Sequence, residues 1–385
     1  MIPYGRQTID QADIDAVRAV LESDWLTQGP TIERFEAAVA EYCGARHAVA
    51  VSSGTAALHI GAIAAGLAPG RRLWTVPNTF VASANCARYC GADVDFVDID
   101  LDTGNLDVAD LAARLERARA EGTLPDMLVP VHFAGRSCDM AAIADLARRY
   151  GFMVMEDASH AIGATYRGRP VGACAFSDMA VFSFHPVKII TTAEGGMVMT
   201  NSDALARRLR TLRTHGITRD PAAFPDGPDG PWDYAMVDLG LNYRMTDMQA
   251  ALGLSQMDRI AGFVDRRHAL ADRYDAALAG LPLHLPRRDG DLRSALHLYV
   301  VRVDAERTNV SRKAVFEHLM ARGIRPQVHY IPVHTQPYYR NLGFRPGQFP
   351  RAEAHYAQAL SLPLYPRLAE ADQDRVIAAL CEVLG

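Results

Sequence analysis

Apolar residues along the first half of the chain switch repeatedly between helical and strand spacing. They recur on one helical face over Ala12–Leu21 and Ile32–Tyr42, while the short run His47–Val51 reads as a strand. The small-residue stretch Gly54–Ala65 is again helical in pattern. Strands follow at Leu73–Val76, Val94–Val97, Met127–Val131 and Phe152–Met155, separated by helices at Phe80–Tyr89, Val108–Ala118 and Met140–Tyr150. Met179–Phe184 and Met197–Thr200 are later strands. Short strands alternating with helices of this length predict an α/β fold, its mainly parallel sheet covered on both faces.

Beyond this alternation the pattern changes. Thr218–Asp233 is rich in proline, glycine and aspartate and reads as a loop. An unbroken helical pattern from Thr246 to Leu278 comes next. Leu296–Val303, Val310–Met320, Pro326–His329 and a closing helix after Leu368 have the mixed pattern of a small α+β domain. The expected division is a large domain over residues 1–250, then a long connecting helix and a small domain over 251–385.

Composition narrows the class of function. A net charge of -5, with arginines scattered rather than massed, argues against nucleic-acid binding. No apolar run is long enough for a membrane span, and Met1–Arg6 lacks the layout of a signal peptide. The six cysteines form no CxxC pair, so buried reduced thiols are expected, and with them a cytoplasmic location. There is no Gly-Lys pair of a P-loop, no G-x-G-x-x-G after a strand and no H-E-x-x-H, so nucleotide, nicotinamide and zinc-protease chemistry lack their residues.

The basic residues carry one unusual signal. Of 40 lysines and arginines, only Lys188 and Lys313 are lysines. Arginine replaces lysine at a solvated site but not where a neutral amine must attack a carbonyl. Lys313 opens a polar helix and reads as a solvated side chain. Lys188 lies between an apolar strand and a glycine pair, where an ammonium is disfavoured. A Schiff-base lysine is the hypothesis it suggests.

Other residues fit that chemistry, each with a plainer alternative. Asp157 and His160 follow a strand, where ligands of parallel sheets gather. A carboxylate there could hold a pyridine nitrogen protonated, or simply cap the next helix. Ser53-Gly54-Thr55 ends a strand and opens a helix, giving either a phosphate site or an ordinary N-cap. Ser183 could offer a hydroxyl to the same phosphate or be a buried strand serine. Phe80 could stack on a cofactor ring or belong to the core. Asn242 and Arg244, polar in an apolar stretch, could bind phosphate or stabilise their loop.

The motifs Glu156-Asp157-Ala158-Ser159-His160, Ser183-Phe184-His185-Pro186-Val187-Lys188 with Thr192-Ala193-Glu194-Gly195-Gly196, and Gly240-Leu241-Asn242-Tyr243-Arg244 together resemble the DegT-type sugar-nucleotide aminotransferases. The resemblance runs over nearly the whole chain. It implies an aspartate-aminotransferase-like (fold type I) large domain with a mainly parallel mixed sheet, a smaller C-terminal α+β domain, and pyridoxal 5′-phosphate as cofactor, with pyridoxamine phosphate as its alternate form. Within the family, Tyr4, Leu26-Thr27-Gln28-Gly29-Pro30, His185–Thr192 and Gln327–Val333 are most similar to the branch that aminates C4 of UDP-sugars in pseudaminic acid biosynthesis. That branch often has Ser-Ala-Thr where this chain has Ser53-Gly54-Thr55.

The resemblance also implies roles. Lys188 would bond the cofactor, Asp157 face its ring nitrogen, and His160 and Phe80 flank the ring. Gly54, Thr55 and Ser183 would hold the phosphate, with Asn242 reaching it from a partner subunit in a homodimer with shared sites. Tyr4, Arg6, Leu26, Thr27, Gln28, Gly29, Ala56, Ser183, Arg244, Gln327, Val328, His329 and Tyr330 would contact the UDP-sugar, and L-glutamate would be the amino donor. Rival readings are a GDP-perosamine-type or UDP-bacillosamine-type acceptor, the dehydratase branch with histidine in place of the lysine, and a non-catalytic binding or regulatory protein.

Overall fold

The computed structural model describes residues 1–288 and 291–385. Its central sheet has seven strands: β1 (His47–Val51), β2 (Arg72–Thr75), β3 (Asp93–Phe96), β4 (Met127–Leu128), β5 (Met153–Asp157), β6 (Met179–Ser183) and β7 (Gly196–Thr200). They lie side by side in the order β1-β7-β6-β5-β4-β2-β3. Neighbours from β6 through β3 pair in parallel. Only β7 runs against its neighbours, β1 and β6, so the sheet is mixed but mainly parallel.

Side-chain alternation explains why both faces are covered. Val49, Val51, Val181 and Val198 join one buried cluster, whereas Ala48, Ala50, Ala180 and Met197 join another on the opposite face. A strand apolar at every position must be buried twice, and flanking helices do this. The Gly54–Ala64 helix starts where Ser53 accepts the Ala56 N–H at 3.0 Å. A further cluster gathers Ile2, Leu270, Tyr274, Leu319, Leu362 and Leu380 beside a three-stranded sheet of Leu283–His284, Tyr299–Val303 and Ala359–Leu362. Among the described residues, no helix is long and apolar enough to cross a membrane.

Two expectations are corrected. The helical pattern from Thr246 to Leu278 is two helices, Asp247–Met257 and Ile260–Leu278. At the break Arg259 leaves helical geometry (φ -115°) and pairs with Asp10 and, at 2.6 Å, with Asp13. Buried Asp13 also accepts from Ser255 and Gln256, so the break anchors the N-terminal segment. The helix expected from Phe80 begins at Ala82, leaving Phe80 58% exposed. Within Pro326–His329, Gln327 bridges to Ser361, and the preceding Ile324–Arg325 forms a strand beside Ile2–Pro3.

Candidate active site

The chain reverses direction after β5, after β6 and after β1, and these three turns meet around one cavity of about 530 Å³. Asp157 ends β5 and lines it with Ser159 and His160. Ser183 ends β6. The following turn folds back on itself: the N–H of Lys188 donates to His185 O at 2.9 Å and that of Thr192 to Phe184 O at 3.0 Å. This closure delivers the Lys188 side chain to the cavity. Ser53, Gly54 and Thr55 contribute a helix N-terminus, and Tyr4, Phe80 and Gln327–Tyr330 line the remaining wall.

Local bonds orient the reactive groups. Asp157 is buried; its Oδ2 accepts the Ser83 hydroxyl at 2.5 Å and its Oδ1 the Ser159 N–H at 3.1 Å. No helix follows Asp157, so helix capping is not its role. His160 Nδ1 accepts the Ala134 N–H at 3.3 Å. Its proton is therefore assigned to Nε2, which faces the Tyr330 oxygen at 3.1 Å. His297 packs behind, its ring centre 4.4 Å from that of His160. His329 meets the Ser361 hydroxyl at 2.8 Å.

The electrostatics favour neutral bases. Burial lowers the Lys188 ammonium from 10.5 to about 8, although Asp157 opposes the shift. Burial, then the positive Lys188, then His329 push His160 well below the ordinary imidazole value. Burial and Lys188 take His329 down to about 3. Burial raises the Tyr330 phenol above its ordinary value, so it stays protonated. Lys188 is thus poised as a nucleophile near neutrality, and the imidazole of His160 can lie against a ring without carrying charge.

The residues present fit a pyridoxal phosphate. A Cβ on Gly54 would lie 2.8 Å from Ser183 Cβ, so glycine lets that helix end approach the serine more closely than alanine would without a local shift. The N–H groups of a helix start and the Ser183 hydroxyl form a phosphate cradle. An exposed Phe80 at the cavity wall is free to cover a ring, which the core reading of that residue did not allow. Lys188 and Asp157 bring an amine and a carboxylate to the same cavity, and these would suit the aldehyde and the ring nitrogen of that group.

Not every expected residue is here. Ala56 is buried within its helix, its N–H held by Ser53. Arg6 and Asn242 are exposed and do not line this cavity. Leu26 is 46% exposed and Thr27 bridges to Thr246. Gln28, Gly29 and Arg244 line a separate pocket of about 160 Å³ with Arg213. Asp247 holds that segment by accepting from the N–H groups of Gly29 and Thr31. Ser83, Thr79, Ser159 and His297 went unforeseen. The hydroxyls of Thr79 and Ser83, four apart before an apolar helix, were the available sign.

A lysine amine in the turn after β6 and an aspartate at the end of β5, beside a helix start suited to phosphate in a mixed sheet of this order, fit a fold-type-I pyridoxal-phosphate enzyme. The profile of the DegT/DnrJ/EryC1/StrS aminotransferase family matches residues 7–381, and the chain belongs to that family. It is similar to the spore coat polysaccharide biosynthesis protein SpsC of Bacillus subtilis, at 40% identity over 100% of this chain and 97% of that protein. Among solved structures it is similar to Helicobacter pylori PseC, an aminotransferase of pseudaminic acid biosynthesis (TM-score 0.89, 29% identity, covering 100% and 99% of the two chains). The aminotransferase TlmJ of Streptoalloteichus hindustanus is comparable (TM-score 0.88, 31% identity, covering 99% and 98%). The chain is accordingly a pyridoxal-phosphate-dependent sugar aminotransferase.

Proposed function

We propose that this enzyme moves the amino group of L-glutamate to C4 of a UDP-linked 4-keto-6-deoxy-N-acetylhexosamine, with UDP-2-acetamido-2,6-dideoxy-β-L-arabino-hexos-4-ulose as acceptor. The observation that carries the chemistry is Lys188, its ammonium lowered to about 8, in one cavity with Asp157 and His160. Bound pyridoxal phosphate supplies an electron sink. Lys188 would hold the cofactor through its amine, and that amine, when free, would carry the proton taken from the donor Cα. Asp157 would face the ring nitrogen, His160 and Phe80 would cover the ring, and Gly54, Thr55 and Ser183 would take the phosphate. Tyr4 and Gln327–Tyr330 form the sugar end.

The choice of acceptor is supported by the lining of that end with Gln327, Val328, His329 and Tyr330 and by the likeness to PseC. The test is purified protein with L-glutamate against UDP- and GDP-linked 4-keto sugars, the product identified by mass and by NMR at C4. Turnover of only the GDP sugar would overturn the choice.

We infer further that two copies share their sites. Among the described residues lining the cavity, Lys188 is the sole ammonium or guanidinium, yet a sugar nucleotide and a cofactor phosphate bring several negative charges. Arg6, Leu26–Gly29, Asn242 and Arg244 lie outside the cavity and are proposed to reach that of a second copy. Trp232, Met236 and Leu239, 63–79% exposed, offer apolar surface for such contact. Sedimentation of the wild type should give a dimer, and Trp232→Ser with Leu239→Ser should weaken it together with activity. A fully active monomer would refute shared sites.

A further inference from the structure

Beside Asp157 lies a pair of hydroxyls, Thr79 at the cavity wall and Ser83 next to it. Ser83 is fully buried in the first turn of the Ala82–Tyr89 helix, and Thr79 is buried just before it. The two oxygens are 2.7 Å apart, and Ser83 Oγ lies 2.5 Å from Asp157 Oδ2 and 3.3 Å from Phe80 O. Ser83 has one proton to give. The carboxylate is the closer and the charged acceptor, so the proton goes there, and Thr79 donates in turn to Ser83. The start of a helix also presents its positive end to an anion. With the Ser159 N–H on Oδ1, each carboxylate oxygen has a fixed donor.

We propose that Ser83, backed by Thr79, is a positioning residue for the reaction: its hydroxyl keeps the Asp157 carboxylate ionised and turned toward the cofactor ring nitrogen. The proposal rests on the reading that Asp157 faces that nitrogen. A proton shared between an aspartate and a pyridine sits on nitrogen only if the carboxylate form is the better stabilised of the two. A donor to Oδ2 stabilises that form; removing it favours the neutral acid beside an uncharged ring. It also frees the carboxylate to rotate. Both effects reduce positive charge on the ring and so reduce its electron-sink capacity. The other titratable groups that face Asp157 are Lys188, Tyr330 and Cys86.

The test reads the ring's charge, not only turnover. In the cofactor-loaded enzyme the visible band titrates with pH, because the nitrogen of Lys188 loses its proton more easily beside a positive ring. Ser83→Ala should raise the midpoint of that titration by about 0.5–1 pH unit, part of the roughly 1–2 units one charge-assisted hydrogen bond is worth, because the effect reaches Lys188 through the ring. The rate of the half-reaction with L-glutamate should fall about tenfold or more while its KM changes little. Ser83→Thr, which keeps the hydroxyl, should restore the midpoint. Thr79→Val, which leaves Ser83 in place without its donor, should shift it by roughly half as much, and serves if Ser83→Ala does not fold. A folded, loaded Ser83→Ala with the wild-type midpoint would overturn the role, as would an unshifted Thr79→Val. A visible band that persists in Lys188→Ala would instead overturn the site reading beneath it.

Discussion

Stripping the cofactor and returning it at a series of pH values tests the state of Lys188 directly. Its ammonium is lowered from 10.5 to about 8, chiefly by burial. Only the neutral amine attacks an aldehyde carbon. Near pH 7, roughly one molecule in ten then carries a reactive amine, against about three in ten thousand for an unperturbed lysine, a gain of about 300-fold. The rate of cofactor capture, followed as the rise of the visible band, should increase about tenfold per pH unit below 8 and level off above it. Asp157 stabilises the ammonium, so Asp157→Asn should move the midpoint below 8. Lys188→Ala should give no band. A rate that keeps climbing toward about pH 10, or a midpoint that rises in Asp157→Asn, would refute the burial argument.

The same burial has a price in stability. Because the folded value lies below the unfolded one, the penalty is complete below about pH 8 and fades as pH rises to 10.5. Lys188→Met should therefore stabilise the cofactor-free protein in urea by at most ~3 kcal/mol near neutrality, with the difference vanishing in strong alkali. Gly54→Val adds a branched side chain where even a Cβ would lie 2.8 Å from that of Ser183, and should weaken cofactor binding about tenfold or more by equilibrium dialysis. Tyr330→Phe leaves the His160 Nε2–H without its 3.1 Å acceptor, and should cost about 1–3 kcal/mol in denaturant unfolding of the loaded protein.

What was legible in the sequence was what depends on one strand and the turn after it. Asp157 at the end of β5, Ser53-Gly54-Thr55 at a strand-to-helix junction and Lys188 in an arginine-rich chain each have a local reason for their residue type. The break at Asp258 and Arg259 was not legible, because its cause is a pair of carboxylates more than two hundred residues earlier. The hairpin Thr165–Pro170 was missed although Arg167-Gly168 takes the two positive φ angles of a tight turn.

Ser83 illustrates the deeper limit. Hydroxyls near a helix start serve as caps or core filler almost everywhere, so residue type carries no signal there. Its proposed role comes from lying 2.5 Å from a carboxylate 74 residues away, on a strand that β4 separates from β2. The residues that bond a cofactor need particular chemistry and so betray themselves in a sequence. Those that orient them need only a donor at the right distance, which several side chains supply and only the fold selects. Arg244 and Asn242 lie further out of reach: they have recognisable chemistry but sit outside the cavity of their own chain. On the proposal that two copies share their sites, the unit of function is larger than the unit of folding, and loss of dimerisation and loss of activity are expected together.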